Sequence, residues 1–283
     1  MATKIHETAV IAPGAELGID VEIGPYTSVG PRVRIGDRTK VGAQVVIDGV
    51  TRIGEDNLIV GQAALGGPPQ DLSYQSEPTM LTMGDRNTIR EFVTINCGTI
   101  KGGGVTQVGS DCLFMACCHV AHDCEIEDRV LMGNNVLLAG HVKVERGANV
   151  SGGAAAHHFV TIGSLAYIGG LTRIIRDVPP FVVIEGNPSK VRKVNRVGLQ
   201  RAGHGEDDIQ LLRSAYRRLF RSRQQPLEQV IREMRDEGVG PLVEMQLESL
   251  ERTMRGHQGR YRESLREEFA RSGRARFEEL SRP

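Results

Sequence analysis

An aliphatic residue recurs at every sixth position from Ile5 to Leu65: Ile5, Ile11, Leu17, Ile23, Val29, Ile35, Val41, Ile47, Ile53, Ile59 and Leu65. Neither an α-helix nor an ordinary strand has that period, so the chain is a repeat architecture. With the aliphatic residue as position one, position five is small or β-branched (Ala9, Ala15, Val21, Thr27, Val33, Thr39, Val45, Thr51), and position two is often glycine (Gly18, Gly24, Gly30, Gly36, Gly42, Gly54). A large apolar residue, a turn-permitting glycine and a small residue in fixed phase predict a short strand, a corner and another short strand. Stacked coils of that unit form a parallel β-helix. The phase resumes at Met83, Ile89 and Ile95, slips through Lys101-Gly102-Gly103-Gly104, and runs again from Val108 to Ile174. Two loops are therefore expected, about 66–82 and 100–107, on the side where repeat proteins commonly bind.

After Pro188 the hexads stop. The pattern predicts a β-helix over 1–187 and a helical region over 188–283. Helices are expected from Glu206 to about Arg223, from Pro226 to near Gly238, and from Pro241 onward. The segment from Gly259 to Pro283 is rich in Arg and Glu with few apolar residues, and reads as a solvated helix or a frayed tail.

Composition changes this picture little. The 283 residues include 34 Gly, no Trp and 4% aromatics, which fits a thin core of Ile, Val, Ala and Thr. A formal net charge of zero argues against a general nucleic-acid binder. No apolar run long enough to span a membrane and no signal-peptide pattern occur, so a soluble, cytoplasmic protein is expected. Cys112, Cys118 and Cys124 fall at inward position five and are expected as core fillers; Cys97 and Cys117 fall at outward positions.

Candidate chemistry comes from the histidines. Five of the eight lie between 119 and 158. If three hexads close one coil, His122, Gly140 and His158 form a column, with His141 and His157 beside it, on an outer corner rather than in the core. Three readings are open: a polar corner that caps backbone groups, a three-histidine metal site, or a catalytic corner. The catalytic one is preferred because imidazole is a natural general base near neutral pH. Asp123 follows His122, but adjacent strand residues diverge, so proximity in sequence does not by itself pair them.

The stretches Gly84-Asp85-Arg86-Asn87-Thr88-Ile89-Arg90-Glu91, Gly102-Gly103-Gly104, Val108-Gly109-Ser110-Asp111, His119-Val120-Ala121-His122-Asp123-Cys124, Leu138-Ala139-Gly140-His141-Val142 and Asp177-Val178-Pro179-Pro180, in register with the hexads, carry a resemblance. The chain to about residue 255 resembles the left-handed β-helix acyltransferases, and among them the acyl-[acyl-carrier-protein]–UDP-N-acetylglucosamine acyltransferases of lipid A synthesis. The resemblance implies a mainly β fold, a homotrimer, acyl carrier protein as donor, UDP-N-acetylglucosamine as acceptor, and no metal or cofactor. It implies His122 as general base, Asp123 as its support and the Gly140 amide as oxyanion donor. It further implies Gln70 and Asp71 at the sugar, His119, His141 and His157 as further site histidines, Gly170 as a ruler of acyl length, and Asn195 and Arg201 near the nucleotide and donor. Ser73, Ala202 and His158 depart from the family's Lys, Arg and Gln. The basic run Lys190, Arg192, Lys193 and Arg196 suits an acidic carrier protein, or is the solvated start of a helix. Related transferases acting on another amino sugar or on acyl-CoA, a γ-type carbonic anhydrase, and a non-catalytic scaffold are the alternatives on the same fold.

Overall fold

The structure is a computed structural model that describes residues 3–222 and 225–280. Residues 281–283, and Arg223 of the expected second-region helix, lie outside the described residues. Among the described residues, three sheets of eleven, nine and eight strands, parallel except for the last strand of the first, wrap the chain into a triangular prism. The first face starts at Lys4–Ile5, the second at Val10–Ile11 and the third at Glu16–Leu17. Each strand pairs with the one a full coil away, as in Glu22↔Lys40 and Ile23↔Val41.

The hexad positions explain this geometry. Positions one and five point inward: Ile47, Ile59, Val21, Val33 and Val45 are fully buried, and Phe114 is the bulkiest of the fully buried side chains. Position two lies against the next coil. A Cβ on Gly42 would sit 1.8 Å from the Val60 carbonyl oxygen. Position four turns the corner with positive φ even where it is not glycine: 57° at Asp20, 56° at Arg38 and 57° at Asp56. This conformation costs roughly 1–2 kcal/mol for an L-residue. It is offset because the turned amide bonds to the coil before it, as Arg38 N does to Ile19 O (2.8 Å) and Asp56 N to Asp37 O (2.9 Å).

Position five also explains the cysteines. Thr27 and Thr39 donate their hydroxyls to the carbonyls of Gly42 and Gly54 on the next coil. Cys112, Cys118 and Cys124 do the same toward Glu127 (3.2 Å), Gly133 (3.0 Å) and Ala139 (3.3 Å). They are buried thiols, their pKa pushed up by burial to about 11, 11 and 12 respectively. Cys117 is exposed as expected, but Cys97 is not outward. It is buried, with its thiol directed at the Gly66 carbonyl (3.2 Å), because the chain leaves the hexad phase there and the first loop folds over it.

The first loop is shorter than expected and the second is shifted three residues toward the N-terminus. Strands Met80–Met83 and Val105–Val108 keep pairing across them, so the excursions are 68–79 and 97–104, the latter with a 3-10 turn at Ile100–Gly102. The sheet also continues past residue 187. Val182–Glu185 turns back antiparallel onto Lys190–Val194, so the basic run is mostly a strand and not the start of a helix. Helices α1 (Arg196–Arg201), α2 (Glu206–Tyr216), α3 (Leu227–Asp236) and α4 (Pro241–Arg255) follow. Their apolar faces, including Leu199, Ile209, Leu212, Ile231 and Leu247, form a second core that reaches the prism through Phe181 and Leu165. Gln246 adds a buried bond to the Pro180 carbonyl (3.0 Å).

The final segment is neither frayed nor solvated all round. After α4 a short 3-10 turn (Tyr261–Leu265) leads into α5 (Arg266–Leu280). Tyr261 N donates to Asp177 Oδ2 (2.8 Å), Asp177 N to the Gly259 carbonyl (2.8 Å), and buried Arg260 to the Ile175 carbonyl (3.1 Å). The segment then runs back along the corner between the second and third faces. Its docking uses backbone, arginines and Gly273 instead of an apolar stripe, which is why hydrophobic periodicity gave no sign of it. Among the described residues, no helix is long and apolar enough to cross a membrane.

Candidate active site

The corner between the second and third faces carries His122, Gly140 and His158 at position three and Asp123, His141 and Phe159 at position four of successive coils. Position four has left-handed backbone: φ is 60° at Asp123, 65° at His141 and 64° at Phe159. That turn decides the chemistry. On an extended strand Asp123 and His122 would point apart. The corner brings them together, and His122 Nδ1 lies 2.7 Å from Asp123 Oδ2.

The carboxylate is held on every side. Oδ1 accepts from Thr99 N (2.7 Å) and Oδ2 from Thr99 Oγ1 (2.6 Å), while Asp123 N donates to Thr106 Oγ1 (2.8 Å). A fixed carboxylate accepting the Nδ1 proton leaves Nε2 as the basic nitrogen, an arrangement that could serve as an oriented general base. The ring packs against the next coil, where a Cβ on Gly140 would come within 2.5 Å of it, so only glycine fits there.

The expectation of an outward, non-core cluster needs correction. His122 is 6% exposed, Asp123 2% and His141 9%. The loop 97–104 and the C-terminal segment pack over this corner. His141 meets the His122 ring edge-on (5.1 Å) and stacks on Phe159 (4.1 Å). Burial drives its pKa down to about 4, so it is a neutral imidazole at neutral pH. His122, Asp123 and His141 lie close enough to hold a metal ion, with ligand atoms within 4.8 Å of one another. Both Asp123 oxygens are already filled by protein donors, which fits a carboxylate that orients an imidazole.

Other expected residues fall into two groups. Asp71 lies within electrostatic reach of His122. Its carboxyl is held below the usual range by bonds from Ser73 N and Oγ (2.8 Å each), helped by the charges of His122 and Lys101. Ser73, the departure from the family's Lys, therefore serves as a local cap of Asp71. Gln70 is exposed beside it. His119, on the second face, pairs with Thr94 Oγ1 (2.7 Å), and its pKa is lowered by burial and by His122. His157 and His158 are exposed at the upper end of the corner, their rings 5.4 Å apart.

Asn195, Arg201 and Gly170 are not at this corner. Asn195 caps α1 by accepting from Gly198 N (3.1 Å), and donates to the Leu165 carbonyl (2.8 Å). With Arg201 it lines a cavity of about 1420 Å³ between the first face and the helical region, where Arg192, Lys193 and Arg213 make the walls basic. Gly170 sits on the corner between the first and second faces, next to exposed Leu171, which carries the positive φ of that turn. The glycine is thus not required by backbone conformation. Sequence reasoning missed Thr99, Thr106 and Phe159. Thr106 sits at an ordinary inward position and Thr99 in the phase slip, so neither carried a signal.

Comparison with known proteins accords with this geometry. The model of Udp N-acetylglucosamine O-acyltransferase, domain 2, matches residues 177–258, and the model of six bacterial transferase hexapeptide repeats matches 14–49. The acyl-[acyl-carrier-protein]–UDP-N-acetylglucosamine O-acyltransferase of Paraburkholderia phymatum is 50% identical over 220 residues, covering 78% of this chain and 84% of its own. The chain belongs to this acyltransferase family. Its counterpart from Anaeromyxobacter dehalogenans is 48% identical over 218 residues, covering 77% and 85%. Among solved structures, LpxA from Acinetobacter baumannii superposes with a TM-score of 0.84 at 40% identity, covering 88% of this chain and 96% of that one. The UDP-N-acetylglucosamine acyltransferase from Campylobacter jejuni gives 0.82 at 35% identity, covering 87% and 96%. The prism is thus the left-handed β-helix of the family.

The lowered pKa of His141 yields a stability prediction. Below about pH 6.5 the unfolded chain takes up a proton at this residue that the folded chain refuses until about pH 4. Acid therefore destabilises the fold across that window. Between pH 7 and 4.5 the wild type is expected to lose about 2 kcal/mol more than His141→Gln, measured by urea unfolding. Parallel losses in the two proteins would contradict it.

Proposed function

We propose that this protein transfers a (3-hydroxy)acyl group from acyl carrier protein to the 3-hydroxyl of UDP-N-acetylglucosamine, the first step of lipid A biosynthesis, in the cytoplasm. The observation that carries the reading is the His122 imidazole, fixed by Asp123 through Nδ1 and packed against Gly140. Nε2 takes the proton of the sugar hydroxyl as its oxygen attacks the thioester carbonyl. The developing oxyanion is received by the Gly140 amide, a donation typically worth about 3–4 kcal/mol on the barrier. Collapse of the tetrahedral intermediate expels the carrier thiolate, which recovers the proton from the imidazolium. The thioester is already activated, so the steps need no metal or cofactor. Gln70 and Asp71 serve as acceptors for sugar hydroxyls, with His119, His141 and His157 lining the approach. The basic cavity holding Asn195 and Arg201 suits the nucleotide phosphates and the acidic carrier protein.

In one chain the His122 corner and that cavity lie on different sides of the prism. A site that uses both requires a second copy, which favours a homotrimer with three sites between subunits. The outward side of the second face supports this, for Val10, Val46 and Leu137 are exposed on it. Sedimentation of the active enzyme should give three times the 30.9 kDa chain mass; a fully active monomer would exclude the shared site.

His122→Ala should fold and lose about 10²- to 10⁴-fold in turnover with acyl carrier protein and UDP-N-acetylglucosamine, read by mass spectrometry of the product. Near-normal turnover in a folded variant would reject His122 as the base. Gly170 is proposed as the acyl-length ruler. A Cβ there meets only the Gly152 carbonyl oxygen, at 3.3 Å, so a side chain can be accommodated. Gly170→Met is expected to shift preference toward shorter acyl chains, by about 0.8 kcal/mol for each CH₂ no longer buried. An unchanged length profile in the folded variant would make the glycine merely structural.

A further inference from the structure

The carboxylate of Asp123 is held differently from those at the same hexad position elsewhere. Asp56 and Asp111 lie exposed and take the two-pronged grip of Arg38 and Arg86. Asp123 is 2% exposed, and among the described residues its ion-pair neighbours are His122 and His141, with no lysine or arginine. Its side-chain donors outside the histidine corner are uncharged and come from one residue. Thr99 N bonds to Oδ1 (2.7 Å) and Thr99 Oγ1 to Oδ2 (2.6 Å). A grip on both oxygens fixes the last torsion of the aspartate, which is otherwise broad. It aims Oδ2 at His122 Nδ1, 2.7 Å away.

Thr99 departs from ordinary turn chemistry to do this. It precedes the 3-10 turn Ile100–Gly102, where a threonine hydroxyl normally caps the amides of its own turn. Here the side chain makes no such bond. The Thr99 carbonyl instead ties the loop together, accepting from Gly102 N (3.0 Å) and Gly104 N (2.8 Å), and the residue is 4% exposed. Gly102 completes the cradle, for a Cβ there would lie 2.0 Å from Asp123 Cγ. The loop is thus shaped around the carboxylate. Neutral donors fix an aspartate without pairing off its charge, which stays available to an imidazolium forming beside it. Resting on the acyltransferase reading, we propose that Thr99 is a positioning residue for the transfer. Acting through Asp123 and not on the substrates, its amide and hydroxyl, with Gly102 behind the carboxylate, hold Asp123 in the orientation that makes His122 an effective base.

The test uses the full chain with acyl carrier protein and UDP-N-acetylglucosamine as substrates. Thr99→Val keeps the shape and loses the hydroxyl. It is expected to lower kcat by about 10- to 10²-fold, the range for a misplaced catalytic group, with KM for the sugar nucleotide little changed. Thr99→Ser restores the hydroxyl and should recover most of that loss. In an Asp123→Ala background, Thr99→Val should cost less than about twofold more, because residues acting as one unit are not additive. Gly102→Ala presses on the carboxylate from the loop side; it should show the same split and the same dependence on Asp123, and carries the test if Thr99→Val does not fold. Full kcat in the folded variants, a Thr99→Ser no better than Thr99→Val, or an equal loss with and without the Asp123 side chain would each overturn the positioning role while leaving the transferase reading intact. Full kcat in both His122→Ala and Asp123→Ala would overturn the base itself, and both readings with it.

Discussion

Everything in this molecule depends on one spacing: each coil must sit a strand's width, about 4.8 Å, from the next and hydrogen bond to it all the way round. That constraint favours glycine at position two in many coils and positive φ at most position-four residues. It leaves position five room for a small side chain such as Val, Thr, Cys or Asn. Thr27 and Cys118 are therefore equivalent solutions, each giving a hydrogen to a carbonyl of the next coil. The histidine corner follows the same rule. The turn that elsewhere sets Arg38 against Asp56 on the surface here sets Asp123 against His122.

Rigidity follows from repetition, and the departures from repetition supply the chemistry. The loop 97–104 breaks the hexad phase and contributes Thr99, which fixes the carboxylate from outside the coil. The first loop contributes Asp71. The C-terminal segment, outside the repeat altogether, docks along the same corner through Arg262 and Arg266. A regular prism would leave Asp123 without the Thr99 bonds that fix it against His122.

Burial sets the electrostatics. His141 is kept neutral because its surroundings cannot solvate a charge and Asp123, at 3.9 Å from its Nδ1, offsets only part of that penalty. A neutral neighbour stacked on Phe159 supplies shape and polarity beside His122.

The sequence by itself determined the coil, because a six-residue period of buried aliphatics is compatible with no other common element. From eighteen-residue spacing it also placed His122, Gly140 and His158 in one column. The cysteines at position five followed from phase alone. Only the tertiary structure decided what lies beside that column. Asp123 meets His122 through a backbone turn that strand logic argues against, and Cys97 is covered by a loop that has left the phase. Asn195 and Arg201 stand on another side of the prism from His122. The docking of residues 259–280 was invisible because it rests on buried arginine, backbone hydrogen bonds and the close approach of Gly273, none of which leaves a period. Period records what faces the core of a repeat; it carries no information about contacts made once, between segments far apart in the chain.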